Sequence, residues 1–557
     1  MVFLRYTSSI RRIYATASLH PGSKEEEGKG MKKSARLLSL MLALALVVTA
    51  FAGCAAESED EPAAEEPTEA ATVDTFTYAQ GADPRGLDPA LVDDGESSKV
   101  IVNIYEGLLK YNDESTEVEP SLAESWEISE DGLAYTFKLR EGVKFHDGTD
   151  FNAEAVKFNI DRQLPPQVTE EMGYAGFVFG SVKDVVVDDE YTVTINLTAP
   201  NTAFLANLAM SMAAPIISPA ALEAGNNSVM ESPVGTGPYK FVEWNKGENI
   251  VLVRNDDYWG EPAKTKNVIF RFIADNSARV LALNNGEVDM IDGIDATVVD
   301  QITSAGDELF EAEGMNINYM AYNTTTSMFK DQAARVAFSQ AIDREELVTS
   351  LYQGYSDVAD TILPTFVPGF DATVKQVEYD AEAAKAGLAA AGITKVHMIA
   401  YTNPRPYNAA TGVALATAIQ GYLQKVGVEC TIDTYDWTTY KEKVRAGDYD
   451  ICYYGWIGDN GDPDNFMNLL SDPDPTMNVA RWEDPTYQQM IKDALVLPNG
   501  DERNAAYGEM EKYVAERAIW LPISHAKTLA AFRPQVSGFV YHVTGNVFLK
   551  DVVVAAE

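Results

Sequence analysis

Between Val396 and Trp456 the chain writes strand, helix, strand, helix and strand in direct succession, and no other stretch restricts the fold so tightly. "VHMIAY" is strand-like, and Leu415, Ile419, Tyr422, Leu423 and Val426 then recur at helical spacing up to Gly427. "VECTIDTY" alternates Val428, Cys430 and Ile432 with Glu429, Thr431 and Asp433, the period of a half-buried strand. "TTYKEKVRAG" predicts a short helix stopped at Gly447, and "YDICYYGW" is a nearly unbroken apolar strand. Strands in this order, joined by helical crossovers, pair in parallel with right-handed connections. Open α/β sheets bind ligands beyond the carboxyl ends of their strands. The segments that follow these three strands bring Arg405 and Tyr407, Trp437, and Trp456 with Asp459 to one edge.

The last of those segments, "GWIGDNGDPDNF", holds Asp459, Asp462 and Asp464 in one turn and leaves several chemistries open. A calcium loop would want oxygen ligands at alternate positions and a closing bidentate Glu, and neither is present. Paired carboxylates also run glycoside hydrolysis, but that needs two acids facing across a substrate. A solvated or braced turn and a pocket for a cationic ligand both fit. The chain has no phosphate-cradling Gly-rich loop ending in Lys-Ser/Thr, no His-Glu-x-x-His, no Gly-x-Ser-x-Gly and no paired-cysteine zinc spacing. Its five histidines are scattered.

The remaining sequence sets the context. At 557 residues the chain calls for two or three compact units, and 43 basic against 84 acidic side chains argue against a nucleic-acid partner. From Met31, the expected true start, a basic opening and an apolar run from Leu37 to Ala52 lead to "FAGC". That run is too short to span a bilayer and reads as a signal peptide within a leader over 1–53. Residues 54–73 are acidic and Pro-, Ser- and Thr-bearing, a disordered tether. Cys430 and Cys452 sit in apolar strand-like stretches and read as buried free thiols, with a disulfide left open by the exported setting. From Tyr105 to Leu197 the pattern is strand-rich with one helix, capped by Asn152 and carrying Val156 and Ile160 on one face, a small α+β unit.

Longer stretches carry a resemblance over nearly the whole mature chain. "IYEGLLKYN", "PSLAESWEISEDGLAYTFKLREGVKFHDGTDFNAEAVKF", "SPVGTGPYKFVEWNKGENIVLVRNDDYWG", "RVLALNNGEVDM" and "AFSQAIDREELV" resemble the bacterial extracellular solute-binding proteins of the peptide/nickel ABC-importer family. "RPYN" and "GWIGDNGDPDNF" are similar to the dipeptide-binding branch.

The resemblance implies a two-lobed α/β clamshell of the type II-like periplasmic-binding-protein class with an added α+β subdomain. Its expected parts are a first lobe from 74–109, 235–318 and 524–557, a ligand-binding second lobe from 319–523, and a subdomain over 110–234. It further implies that Arg405 pairs with a peptide α-carboxylate and Asp459 with the α-ammonium, and that Tyr407, Trp437 and Trp456 line the pocket; Asp462 and Asp464 then read, from their turn chemistry, as turn-forming and loop-bracing residues. "QGADPRGLDPAL" departs from the dipeptide branch, and Ala82 and Asp83 are its candidate first-lobe contacts. Cys54 is the implied lipid attachment site, anchoring a monomer at the outer face of the bacterial cell membrane beside ABC permease subunits with their ATPases. No catalytic residue, cofactor or metal is implied. Longer oligopeptides, glutathione-like peptides and a metal chelate are the alternative ligands. A secreted hydrolase is the alternative of another class.

Overall fold

The computed structural model describes residues 72–556. The leader over 1–53, Cys54 and nearly all of the expected tether lie outside them. Val73, at the tether's expected end, is already paired, its amide donating to the Val554 carbonyl (2.9 Å).

Three sheets of four or more strands organise the described chain. The first has seven strands. Thr75–Gln80 lies near its middle, parallel to Asn267–Phe272 on one side and Met290–Asp292 on the other, with antiparallel strands continuing outward on both sides. The second has six, and Asn316–Tyr322 runs antiparallel between Trp520–Ala526 and Ile451–Ile457. Every residue of "NINYMAY" is buried, as a strand covered on both faces requires. Next come Lys395–Tyr401 and Glu429–Tyr435, parallel to one another, with Lys395–Tyr401 also parallel to Ile451–Ile457. The helices Gly412–Lys425 and Trp437–Ala446 supply the crossovers. The strand–helix alternation read from the sequence is therefore one half of this sheet.

The sheet also settles the cysteines. Cys430 pairs with Val396 and Cys452 with Ile399, which places the thiols on strands flanking Lys395–Tyr401. Two strand spacings are roughly 10 Å, beyond the reach of a disulfide, and both thiols are free.

Each sheet has its own apolar core. The third, four-stranded and antiparallel, carries the helix Ala153–Asp161, whose Val156 and Ile160 are buried and whose Asn152 side chain accepts from the Ala155 amide (3.1 Å). The chain passes from the seven-stranded to the six-stranded sheet at 313–315 and returns at Lys527. The limits expected at 318/319 and 523/524 fall inside the strands Asn316–Tyr322 and Trp520–Ala526, which cross-strand pairing holds intact on the second lobe. The two crossings run side by side. Asn316 Nδ2 donates to the Ala526 carbonyl (2.8 Å), and the Ala526 amide returns a bond to Asn316 Oδ1 (2.8 Å).

One carboxylate ties together two of the quoted stretches at three points. Glu106 of "YEGL" accepts from Thr236 Oγ1 (2.7 Å) of "GTGP" and from Tyr258 Oη (2.6 Å) and Trp259 Nε1 (2.7 Å) of "DYWG". Gly237 lies so close to this segment that a Cβ there would stand 2.7 Å from the Ile104 carbonyl.

Candidate functional site

Arg405 rises from the loop after Lys395–Tyr401. A tight reciprocal bridge closes the loop: the Arg405 amide donates to the Asn408 carbonyl (3.0 Å) and the Asn408 amide to the Arg405 carbonyl (2.8 Å). Asn408 is fully buried, accepts from Tyr352 Oη (2.9 Å) and donates to Tyr401 Oη (2.8 Å), so the loop is pinned to a helix and a strand of the core. The guanidinium lies 4.1 Å above the Trp437 ring, an arginine–aromatic stack. Its Nε is buried without a hydrogen-bond partner, and Arg405 forms no ion pair among the described residues.

Trp437 opens the helix after Glu429–Tyr435, where Asp436 caps the Thr438 and Thr439 amides. Half-buried, it packs edge-on to Tyr401 (5.5 Å) and stacks on Tyr440 (5.7 Å). The Trp437 ring thus packs on the core and also carries the Arg405 guanidinium. Tyr407 is buried edge-on to Tyr401 (6.4 Å), and its ring occupies the space a Cβ at Gly455 would need.

The acid loop follows Ile451–Ile457, and its three carboxylates go separate ways. Asp459 Oδ1 accepts from Tyr174 Oη (2.8 Å) and Oδ2 from Asn465 Nδ2 (3.1 Å). Burial pushes its carboxyl up to about 6, and these two bonds hold it down in part. Trp456 is half-buried and donates its indole N–H to Asn465 Oδ1 (3.0 Å). Asp462 forms a buried bidentate pair with Arg503 (2.8 and 2.9 Å) and accepts from the Asp464 amide (2.9 Å). Asp464 accepts from Tyr507 Oη (3.3 Å), and burial beside Asp462 pushes it up to about 7. Carboxylates spread over these partners make no cation cage. Among the described residues no cluster of His, Cys, Asp and Glu could hold a metal ion.

Arg405, Tyr407 and Trp437 are brought into one aromatic cluster, while Asp459 and Trp456 are joined through Asn465. Ala82 and Asp83 are not drawn to these loops. The Ala82 carbonyl accepts from Gln80 Nε2 (2.9 Å), and the Asp83 oxygens accept from Trp244 Nε1 and the Gly247 amide (2.7 Å each), bracing a hairpin turn of the first lobe. Three participants escaped sequence reasoning. Tyr174 belongs to the inserted subdomain, and nothing in its local spacing points to a loop 285 residues away. The same is true of Asn207, which accepts from Asn460 Nδ2 (2.7 Å). Arg503 reads as one more charge on a charged helix, although it is 1% exposed.

Residues 117–478 match the family model of the bacterial extracellular solute-binding proteins, family 5. Heme-binding protein A of Haemophilus influenzae is 31% identical over 536 residues, which cover 90% of this chain and 96% of that protein. The dipeptide-binding protein of Escherichia coli is 31% identical over 510 residues, covering 86% and 94%. The periplasmic binding protein DppA of Helicobacter pylori, solved in complex with the peptide STSA, superposes with a TM-score of 0.74 at 30% identity, covering 86% of this chain and 98% of that one.

Proposed function

The chain belongs to the bacterial extracellular solute-binding proteins of family 5, and from that premise we propose that it captures dipeptides or short peptides by their charged termini and delivers them to an ABC importer. One observation carries the reading. The second lobe presents a guanidinium, Arg405, and a carboxylate, Asp459, on neighbouring loops, and neither has an ionic partner among the described residues. A charge taken out of water needs a counter-charge with hydrogen bonds, and an enclosed zwitterion supplies both at once. The Arg405 fork takes the α-carboxylate and Asp459 the α-ammonium. Trp437, Trp456 and Tyr407 form apolar walls that accept varied side chains, and Tyr174 closes the ammonium end from the subdomain.

The relatives' names support a peptide ligand in two ways. The E. coli relative is a dipeptide-binding protein, and the H. pylori structure holds a peptide. The test is affinity for free and blocked peptides. Arg405→Ala and Asp459→Asn each leave one buried ligand charge unpaired and should cost on the order of 2–5 kcal/mol, mostly in dissociation rate. N-acetylation should weaken binding to the unaltered protein and much less to Asp459→Asn; C-terminal amidation should behave the same way toward Arg405→Ala. Equal binding of blocked and free peptides by the unaltered protein would end this reading.

The anchor is a separate part of the proposal. The apolar run ending in "AGC" supports lipidation at Cys54, which holds a monomer at the outer face of the cell membrane beside its permease. Cys54→Ala should shift the protein from the membrane fraction to a soluble or unprocessed pool. Processing at another residue without lipid would refute the anchor and leave the ligand assignment standing.

A further inference from the structure

Asn465 lies at the far end of the acid loop, in the short helix Asp464–Met467, and is 5% exposed. Its single amide makes three bonds to two site residues. Oδ1 accepts from the Trp456 indole N–H (3.0 Å) and from the Asp459 backbone N–H (3.0 Å), while Nδ2 donates to Asp459 Oδ2 (3.1 Å). Only a side chain with both an acceptor and a donor can do this. An aspartate lacks the donor, and an aliphatic residue lacks both.

The groups around Asp459 make that donor consequential. From the inserted subdomain it is faced by the Tyr174 hydroxyl, which donates to Oδ1, and more distantly by Tyr111. The nearby charges of its own loop are engaged elsewhere, Asp462 with Arg503 and Asp464 with Tyr507, and Asp93 of the first lobe acts on Tyr174. No cation touches Asp459 among the described residues. Two neutral hydrogen bonds therefore offset the desolvation that favours its protonated form.

We propose that Asn465 is the positioning residue of the ammonium subsite: it aims Asp459, keeps it ionised for an incoming primary ammonium, and seats Trp456 beside it. This rests on the reading of Asp459 as the ammonium partner, and the experiment separates the two ideas.

The full mature protein would be made as Asn465→Asp and Asn465→Leu, with circular dichroism as the folding control. Asp459 is then titrated without ligand by carboxyl ¹³C NMR. Dialanine and N-acetyl-dialanine affinities are measured by calorimetry across the same pH range. In the unaltered protein, dialanine affinity should fall by about tenfold for each pH unit below the Asp459 midpoint. Both variants should move that midpoint upward by about one pH unit, Asn465→Asp through like-charge repulsion and Asn465→Leu through loss of the donor. Dialanine affinity at the original midpoint should drop roughly fivefold, approach about a tenfold loss below it, and recover as the pH is raised. A side chain that only held the fold would not shift this profile. If Asp459 titrates at an unchanged pH in both variants, the role assigned to Asn465 is wrong. If the midpoint moves but dialanine binding ignores it, Asp459 is not the ammonium partner, and the subsite role of Asn465 falls with it while its bonds to Asp459 stand. If Asn465→Asp does not fold, Asn465→Leu carries the test alone.

Discussion

At the scale of single residues, the pair Asp462–Arg503 shows how the acid loop is built. Both side chains are almost wholly out of water, and they meet through two parallel N–H···O bonds. Removing one partner from such a pair leaves the other charge buried and unmatched. Asp462→Ala and Arg503→Ala should therefore each cost about 3–5 kcal/mol, read as a lowered urea midpoint. The double variant Asp462→Leu/Arg503→Met should cost much less than the sum, because it removes both charges together. Of the loop's three acids, Asp462 is thus the stability residue. Its role as a brace was readable from the turn chemistry of "DNGDPDN". The arginine that gives the brace its strength was not, because 41 residues separate the partners and no periodicity links them.

At the scale of elements, the helix Asp501–Arg517 buries polar side chains along one face. Arg503, Tyr507 and Glu511 recur every fourth residue and reach Asp462, Asp464 and the loop near 363–371. Sequence patterning looks for an apolar stripe, so a helix whose inner face is partly ionic reads as solvated. The crossover helices were legible because their inner faces are conventional, with Leu415, Ile419 and Leu423 fully buried. Glu511 accepts from the Leu363 (2.9 Å) and Asp371 (3.1 Å) amides, yet burial pushes its carboxyl up to about 8. A folded state that holds a proton more tightly than the unfolded chain loses stability as pH rises through the folded value. The unliganded protein should accordingly melt at falling temperatures as the pH rises from the ordinary carboxyl range toward about 8, the folded value of Glu511. Glu511→Gln should flatten that slope whatever it does to the absolute melting point, and an unchanged slope would show that Glu511 is ionised throughout. Glu106 is a different kind of element joint: Glu106→Ala strands three donors from two other segments, and a loss on the order of 3 kcal/mol or more is expected in the same melts.

At the scale of the whole molecule, two sheets are linked by two adjacent crossings, the arrangement a hinge between lobes requires, and closure about it is the proposal tested next. Small-angle scattering should show a smaller radius of gyration with saturating peptide. A ligand at about 100-fold excess over its dissociation constant should also add about 2.7 kcal/mol of stability. A scattering curve unchanged by proven binding would rule out closure. The proposed counter-charges, Arg405 and Asp459, both belong to the second lobe, and this gives capture an order in time. A peptide can be inspected at both ends while the molecule is still ajar, and a poor fit can leave before any lobe has moved. On this proposal choice of cargo resides in the second-lobe loops together with Tyr174, and dwell time in the crossings between lobes, so a change at one can leave the other untouched.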